Sequence, residues 1–189
     1  MVMRIEHADH VPANEMPDGP LASGAEYWYW RGDRLALDLV NTRRERWRRS
    51  IETLVTTSDV SRWLVEAGVM EQPARVRRYV LDEAHSLREA IDAAVVATVD
   101  GLEVPGSAID LIDDWLVFAG PRPHVRLGAD GRPELAERPA ADSPRRALGM
   151  VALDAATLLA TPAQRARLRI CASETCSARF YDRPAGDRS

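Results

Sequence analysis

The chain has 189 residues, 46% of them apolar, which is enough for one well-filled core and a small appendage. Its net charge of −4 argues against indiscriminate nucleic-acid binding, while leaving room for a local basic patch. All 25 positive residues are arginine, which reads as the codon bias of a GC-rich genome. No apolar run approaches the ~18 residues of a membrane span, and no apolar segment follows the first charge as in a secretory leader, so a cytoplasmic protein with no membrane partner is expected.

In chain order, residues 1–24 carry Pro12, Pro17, Gly19, Pro20 and Gly24 among few large apolar groups, the composition of a mobile arm. Folding is expected to begin at Tyr27-Trp28-Tyr29-Trp30. From Arg34 to Val40, Leu35, Leu37 and Leu39 alternate with Ala36, Asp38 and Val40, and this period of two predicts a strand ended by Asn41-Thr42. Ser58 or Asp59 is placed to cap a helix running through Trp63 and Leu64 to Ala67, with Gly68 as its stop. Pro73 opens a longer helix on which Val76, Val80, His85, Leu87, Ile91, Val95 and Val99 follow helical spacing, and Gly101 closes it.

A third helix over 107–118 rests on the stripe Ile109, Ile112, Trp115 and Leu116. Residues 124–137 read as a hairpin around Asp130-Gly131, with Pro133 confining one strand to an edge. Ser143-Pro144 starts a helix that is apolar on more than one side as far as Leu159, the mark of a central buried element. A helical turn at Thr161-Pro162 leads to Leu168-Arg169-Ile170 and the cysteines. The class is α+β: a predominantly helical domain with a short sheet or hairpin, followed by a truncated zinc-knuckle-like C-terminus.

Familiar enzyme signatures are missing. The sequence holds no phosphate-binding G-x-x-x-x-G-K-[ST], no H-E-x-x-H and no G-x-S-x-G, and no context pairs a nucleophile with a base, so no catalytic residue is assigned. His85 sits on its helix's apolar stripe as a boundary residue, His124 has no evident partner, and Asp113 and Asp114 project about 100° apart on their helix, a solvated face. The densest charge run is Arg43-Arg44-Glu45-Arg46-Trp47-Arg48-Arg49. It is read chiefly as surface, but its place directly after an expected strand end also suits a ligand site. Asn41, Thr42, Arg43 and Arg44 would there orient a small polar or anionic ligand, with Trp47 and Trp63 among the apolar walls.

Cys171 and Cys176 are the chain's two cysteines. Their spacing suits adjacent corners of a zinc tetrahedron, but a closed structural site needs four ligands. A second pair beyond this sequence, a partner's cysteines, or His7 and His10 folding back would complete it. Without these the thiols are expected to stay metal-free, with Phe180 and Tyr181 holding the segment by packing.

The stretch Arg167-Leu-Arg-Ile-Cys171 to Cys176-Ser-Ala-Arg-Phe180-Tyr181-Asp182-Arg183 resembles the opening of the CGNR-type zinc finger. Leu35-Ala-Leu-Asp-Leu-Val-Asn41-Thr42, Ser58-Asp-Val-Ser-Arg-Trp63-Leu64 with Gly68, and Leu87-Arg88-Glu89-Ala90 resemble the ABATE domain that precedes this finger in bacterial stress-induced transcription regulators. Pro184 departs from the family's serine after Asp-Arg, and no CGNR run follows. The resemblance implies a sensor or ligand-binding domain over residues 25–165 and a partial finger over 166–189. It implies a ligand-responsive transcription regulator whose partners are a small ligand and DNA through a completed finger; a homodimer is a further expectation. The alternatives are a small-molecule enzyme using the Asn41 region, and a protein-interaction module without DNA binding.

Overall fold

The computed structural model describes residues 16–120, 123–137, 141–173 and 176–183. His7 and His10 lie outside them. The core is helical: α1 (Leu35–Val40), α2 (Thr57–Glu66), α3 (Arg78–Asp100), α4 (Gly106–Leu116) and α5 (Pro144–Ala160), with a short α6 (Pro162–Arg165). Among the described residues three two-stranded antiparallel sheets decorate it: β1 (Arg43–Arg44) with β2 (Ile51–Glu52), β3 (Pro123–Leu127) with β4 (Pro133–Glu137), and β5 (Leu168–Ile170) with β6 (Arg179–Tyr181). The expected class, α+β and mainly helical, is the one found. Among the described residues no helix is long and apolar enough to cross a membrane.

The segment Leu35–Val40 is a helix, not the expected strand. Ala36, Leu37, Leu39 and Val40 are all buried, because α1 packs against both α3 and α5. A segment covered on nearly all sides shows no polar face, so six residues of alternation cannot separate the two periods. Leu and Ala also favour helix. The N-terminus of α1 is capped from a distance: Asp154 of α5 accepts from the Ala36 N–H at 2.9 Å while holding Arg34 at 2.9 and 2.6 Å.

The other helix boundaries follow local chemistry, with two shifts. Thr56, rather than Ser58 or Asp59, caps α2, and Asp59 returns the bond as the third helical residue of a capping box. Helix α3 starts at Arg78 rather than Pro73, because the Ala74 N–H is donated to the Ser61 hydroxyl of α2 at 3.0 Å and the preceding segment runs extended beside that helix. Gly101 ends α3 in the left-handed conformation, φ 68°, as expected of a C-cap glycine. Ser143 and Pro144 open α5, and Gly149 on that helix leaves room for the Phe118-Ala119 backbone, which a Cβ would meet at 2.7 Å.

The β3–β4 hairpin has the expected register, Val125 opposite Leu135 and Leu127 opposite Pro133. Val125 and Leu127 are 71% and 73% exposed, so this hairpin stands away from the core. Residues 16–24 lie along the domain: Met16 is buried, Arg49 donates to the Pro17 carbonyl at 3.2 Å, and Ser23 bonds Asp59.

Asp38 on α1 is a half-buried carboxyl with an unusual balance. Burial pushes it up to about 7, helped by Asp33 and Asp154 and opposed by the Gly32 N–H, which it accepts at 2.8 Å. The folded state therefore holds a proton that the unfolded state releases near pH 4, so stability falls as pH rises from there through about 7. Asp38→Asn is expected to remove this slope, gaining up to about 4 kcal/mol over the wild type at pH 8 and little at pH 4. Urea midpoints at both pH values measure it, and parallel pH profiles would refute it.

Candidate functional site

Helix α3 turns a polar strip toward the loops that follow α1. His85, Arg88, Glu89 and Asp92 recur at i, i+3, i+4 and i+7, so one face of an otherwise apolar helix carries them. Arg88, 1% exposed, grips Glu52 of β2 with two nitrogens at 2.6 and 2.5 Å, reaches Glu89 at 2.9 Å and donates to the Thr42 hydroxyl at 3.2 Å. Arg46 bonds Glu89 at 2.7 Å and Asp92 at 3.1 Å. Arg179 of β6 meets Asp92 at 2.6 Å. His85 bonds the Leu54 carbonyl at 2.9 Å, the boundary role expected of it.

Electrostatics make this layer a unit. Burial works against ionisation of Glu89, yet Arg46 and Arg88 outweigh it and hold the carboxyl at about 2. Burial likewise opposes the charge on Glu52, and Arg88 keeps it below the usual carboxylate range. Arg88 itself is raised despite its own burial, by Glu52 above all. Arg179 is lowered by burial, although Asp92 supports its charge. Such interlocked pairs are costly to break singly and are commonly architectural.

The predicted ligand residues meet the fold itself here. Asn41 donates its amide to the Arg179 carbonyl at 2.9 Å and accepts the Arg179 N–H at 2.8 Å, acting as a one-residue strand along the outer edge of β6. Thr42 donates to the Leu39 carbonyl at 2.7 Å and is fully buried. Arg43 bonds Ser50 at 2.8 Å and Glu89 at 3.3 Å. Arg44 is buried, donates to the Tyr27 carbonyl at 2.6 Å and lies 4.9 Å over the Tyr29 ring. Trp47 carries the Arg179 guanidinium 5.3 Å above its ring, whereas Trp63 is a core residue stacked on Trp30 at 5.7 Å. Asn41, Thr42, Arg43 and Trp47 thus gather around β6 and α3, Arg44 turns instead to Tyr27 and Tyr29, and Trp63 stands in a separate aromatic group. Within the arginine run Arg44 and Arg46 are turned inward, so neither a solvated face nor a phosphate-binding surface describes these two, whereas Trp47, Arg48 and Arg49 lie at the surface as expected.

Cys171 and Cys176 are both buried, on the loop between β5 and β6, in a small cluster with Tyr29, Ala178 and Phe180. Burial pushes Cys176 up to about 11, the Ala178 N–H pulling the other way and the hydrogen-bonded Cys171 thiol adding to the rise. Tyr29 rises to about 12 from burial first and then from Cys176. The pair offers zinc two soft donors, but among the described residues no third His, Cys, Asp or Glu joins them. These residues therefore do not form a closed site by themselves. Hairpin β5–β6 is sewn to the domain by Asn41 and by the Tyr181 N–H, which reaches the Gly32 carbonyl at 2.9 Å.

Two cavities lie elsewhere. One, of about 520 Å³, sits where the C-terminal ends of α3 and α5 meet one face of α4, lined chiefly by apolar side chains together with Thr98, Asp113 and Arg165. The other is an open groove of about 770 Å³ between α2 and residues 73–76. No predicted ligand residue lines either of these two. The first cavity escaped the sequence because its walls are ordinary core residues, and only the unmatched i, i+3, i+4, i+7 face of α4, Ile109, Ile112, Asp113 and Leu116, hinted at it.

No curated protein shows significant similarity to the chain. A family model, ABATE, described as a putative stress-induced transcription regulator, matches residues 33–162, from the loop before α1 to the start of α6. That span contains most of the core, the arginine run and the polar strip of α3, and the chain therefore belongs to the ABATE family.

Proposed function

We propose that this protein is a ligand-responsive regulator of transcription in which the helical domain receives a small molecule and the C-terminal segment, residues 166–189, makes any contact with DNA. The observation that carries the reading is the cavity of about 520 Å³ among α3, α4 and α5, a size typical of small-molecule sites, inside a domain of a regulator family. Arg43, Arg44 and Arg46 support the same division of labour: they are engaged with Glu89, Asp92 and backbone carbonyls, which leaves phosphate contact to other residues. Sewn to the domain by Asn41 and Gly32, hairpin β5–β6 moves with it, so a change in the helices reaches the C-terminus through α3 and β6. The cysteines are proposed to remain buried thiols in this chain, with zinc entering only if further donors complete the set.

Homodimer formation is a second element of the reading, favoured by Val125 and Leu127 exposed on one side of β3. Native mass spectrometry of the purified chain tests these points together. The expected spectrum carries a co-purifying organic mass below about 500 Da, a size that fits such a cavity, and shows dimer without stoichiometric zinc. A bare monomer that no cell extract loads would refute ligand response, and one zinc per chain lost in Cys171→Ser would show a completed site.

A further inference from the structure

We infer that the cavity among α3, α4 and α5 selects a lipophilic cation, an apolar body carrying one amine or quaternary ammonium group. The inference rests on the ligand-responsive reading and adds the chemistry of the ligand. Leu102, Val104, Ile109, Ile112, Leu116 and Leu159 make the walls apolar, so the body of the ligand is hydrocarbon. The charge follows from what surrounds them. Helices α3 and α5 end here, at Asp100 and Ala160, and their C-terminal ends each carry roughly half a negative charge. Helix α4 runs along the cavity through Ile109, Ile112, Asp113 and Leu116, presenting a side rather than an end.

Two charged side chains reach the cavity. Arg165 is already engaged: it donates to the Leu159 carbonyl at 2.7 Å, the familiar use of a basic residue at a helix C-terminus. Asp113 makes no hydrogen bond or ion pair among the described residues. Its carboxylate is the charge in the lining left without a structural task. An ammonium group at the mouth, between Asp113 and the end of α3, thereby meets negative potential on two sides while its body fills the apolar floor, and the Arg165 guanidinium offsets the end of α5.

The test uses three probes with one body: 4-phenylbutylamine, 4-phenylbutan-1-ol and 4-phenylbutanoate, titrated calorimetrically into the full chain and into Asp113→Asn. The amine is expected to bind roughly three- to tenfold more tightly than the alcohol, the gain of one exposed ion pair plus the end of α3. Asp113→Asn, a surface change, is expected to reduce that preference by at least about half. Added salt should weaken only the amine. Equal binding of amine and alcohol would overturn the charge assignment while leaving the cavity as a ligand site. Tighter binding of the carboxylate would overturn it in favour of Arg165. Binding of none of the three would overturn the cavity itself, whereas the ligand-responsive reading stands or falls on the co-purifying mass.

Discussion

Arg88→Met is expected to lower the unfolding free energy by about 3 kcal/mol, the cost of leaving charges without their buried partner. The guanidinium is 1% exposed and serves Glu52, Glu89 and Thr42 together, so its removal leaves two carboxylates and a hydroxyl facing an apolar side chain. Methionine keeps much of the volume, which separates the loss of charge from a cavity effect. Urea denaturation reads the change. Adding Glu52→Gln should recover part of the loss, because the pair acts as a unit and the stranded carboxylate is then gone. The pH dependence has a definite sign. Glu89 is held at about 2 and Glu52 is also depressed, so their contribution is complete above about 4.5 and is lost as pH falls toward 2. The wild type should accordingly lose its advantage over Arg88→Met in that acid window. A difference under about 1 kcal/mol at pH 7 would mean that the layer is a solvated surface network.

Asn41→Ala should release the C-terminal hairpin. Both amide atoms of Asn41 bond the backbone of Arg179, at 2.9 and 2.8 Å, and alanine leaves a buried N–H and a buried carbonyl without partners. Each unsatisfied group costs about 1–3 kcal/mol, and the loss falls on local opening of β5–β6 before it falls on the helices. The cysteines report it directly. Cys171 and Cys176 are buried and Cys176 is held protonated to about 11, so in the wild type they should react slowly with a thiol reagent. In Asn41→Ala labelling should accelerate at least roughly tenfold, the factor set by about 1.4 kcal/mol of easier opening. Unchanged labelling with a normal melting transition would show that Tyr181, Asp92 and Trp47 hold the hairpin without Asn41.

Helix α5 was legible because Ser143-Pro144 supply a cap and a first-turn proline and the apolar spacing runs through Leu159. The β3–β4 hairpin was legible from Asp130-Gly131, and the end of α3 from Gly101. Each signal lies within a few residues of the feature it specifies. The candidate site is a different matter. Asn41, Thr42 and the arginine run stood out as a concentration of polar groups behind an apolar segment, but their partners did not. Arg88, Glu89 and Asp92 were open to discovery as a polar strip on α3, a pattern masked by reading that helix for its apolar stripe.

What local sequence settles in this protein is where the longer helices run, where α3 ends and α5 begins, and where the β3–β4 hairpin turns, since these depend on dihedral preference and on spacing along one element. What folding adds is the use to which those elements are put. Segment 35–40 is helical because α3 and α5 enclose it and Asp154, 118 positions away, caps its first turn. Asn41 completes the edge of β6 across 138 positions, and Arg88 finds Glu52 across 36. The cavity exists only where the ends of α3 and α5 diverge over α4. Hydrogen bonds, ion pairs and voids of this kind are properties of residues brought together, and no residue pattern confined to one element encodes them.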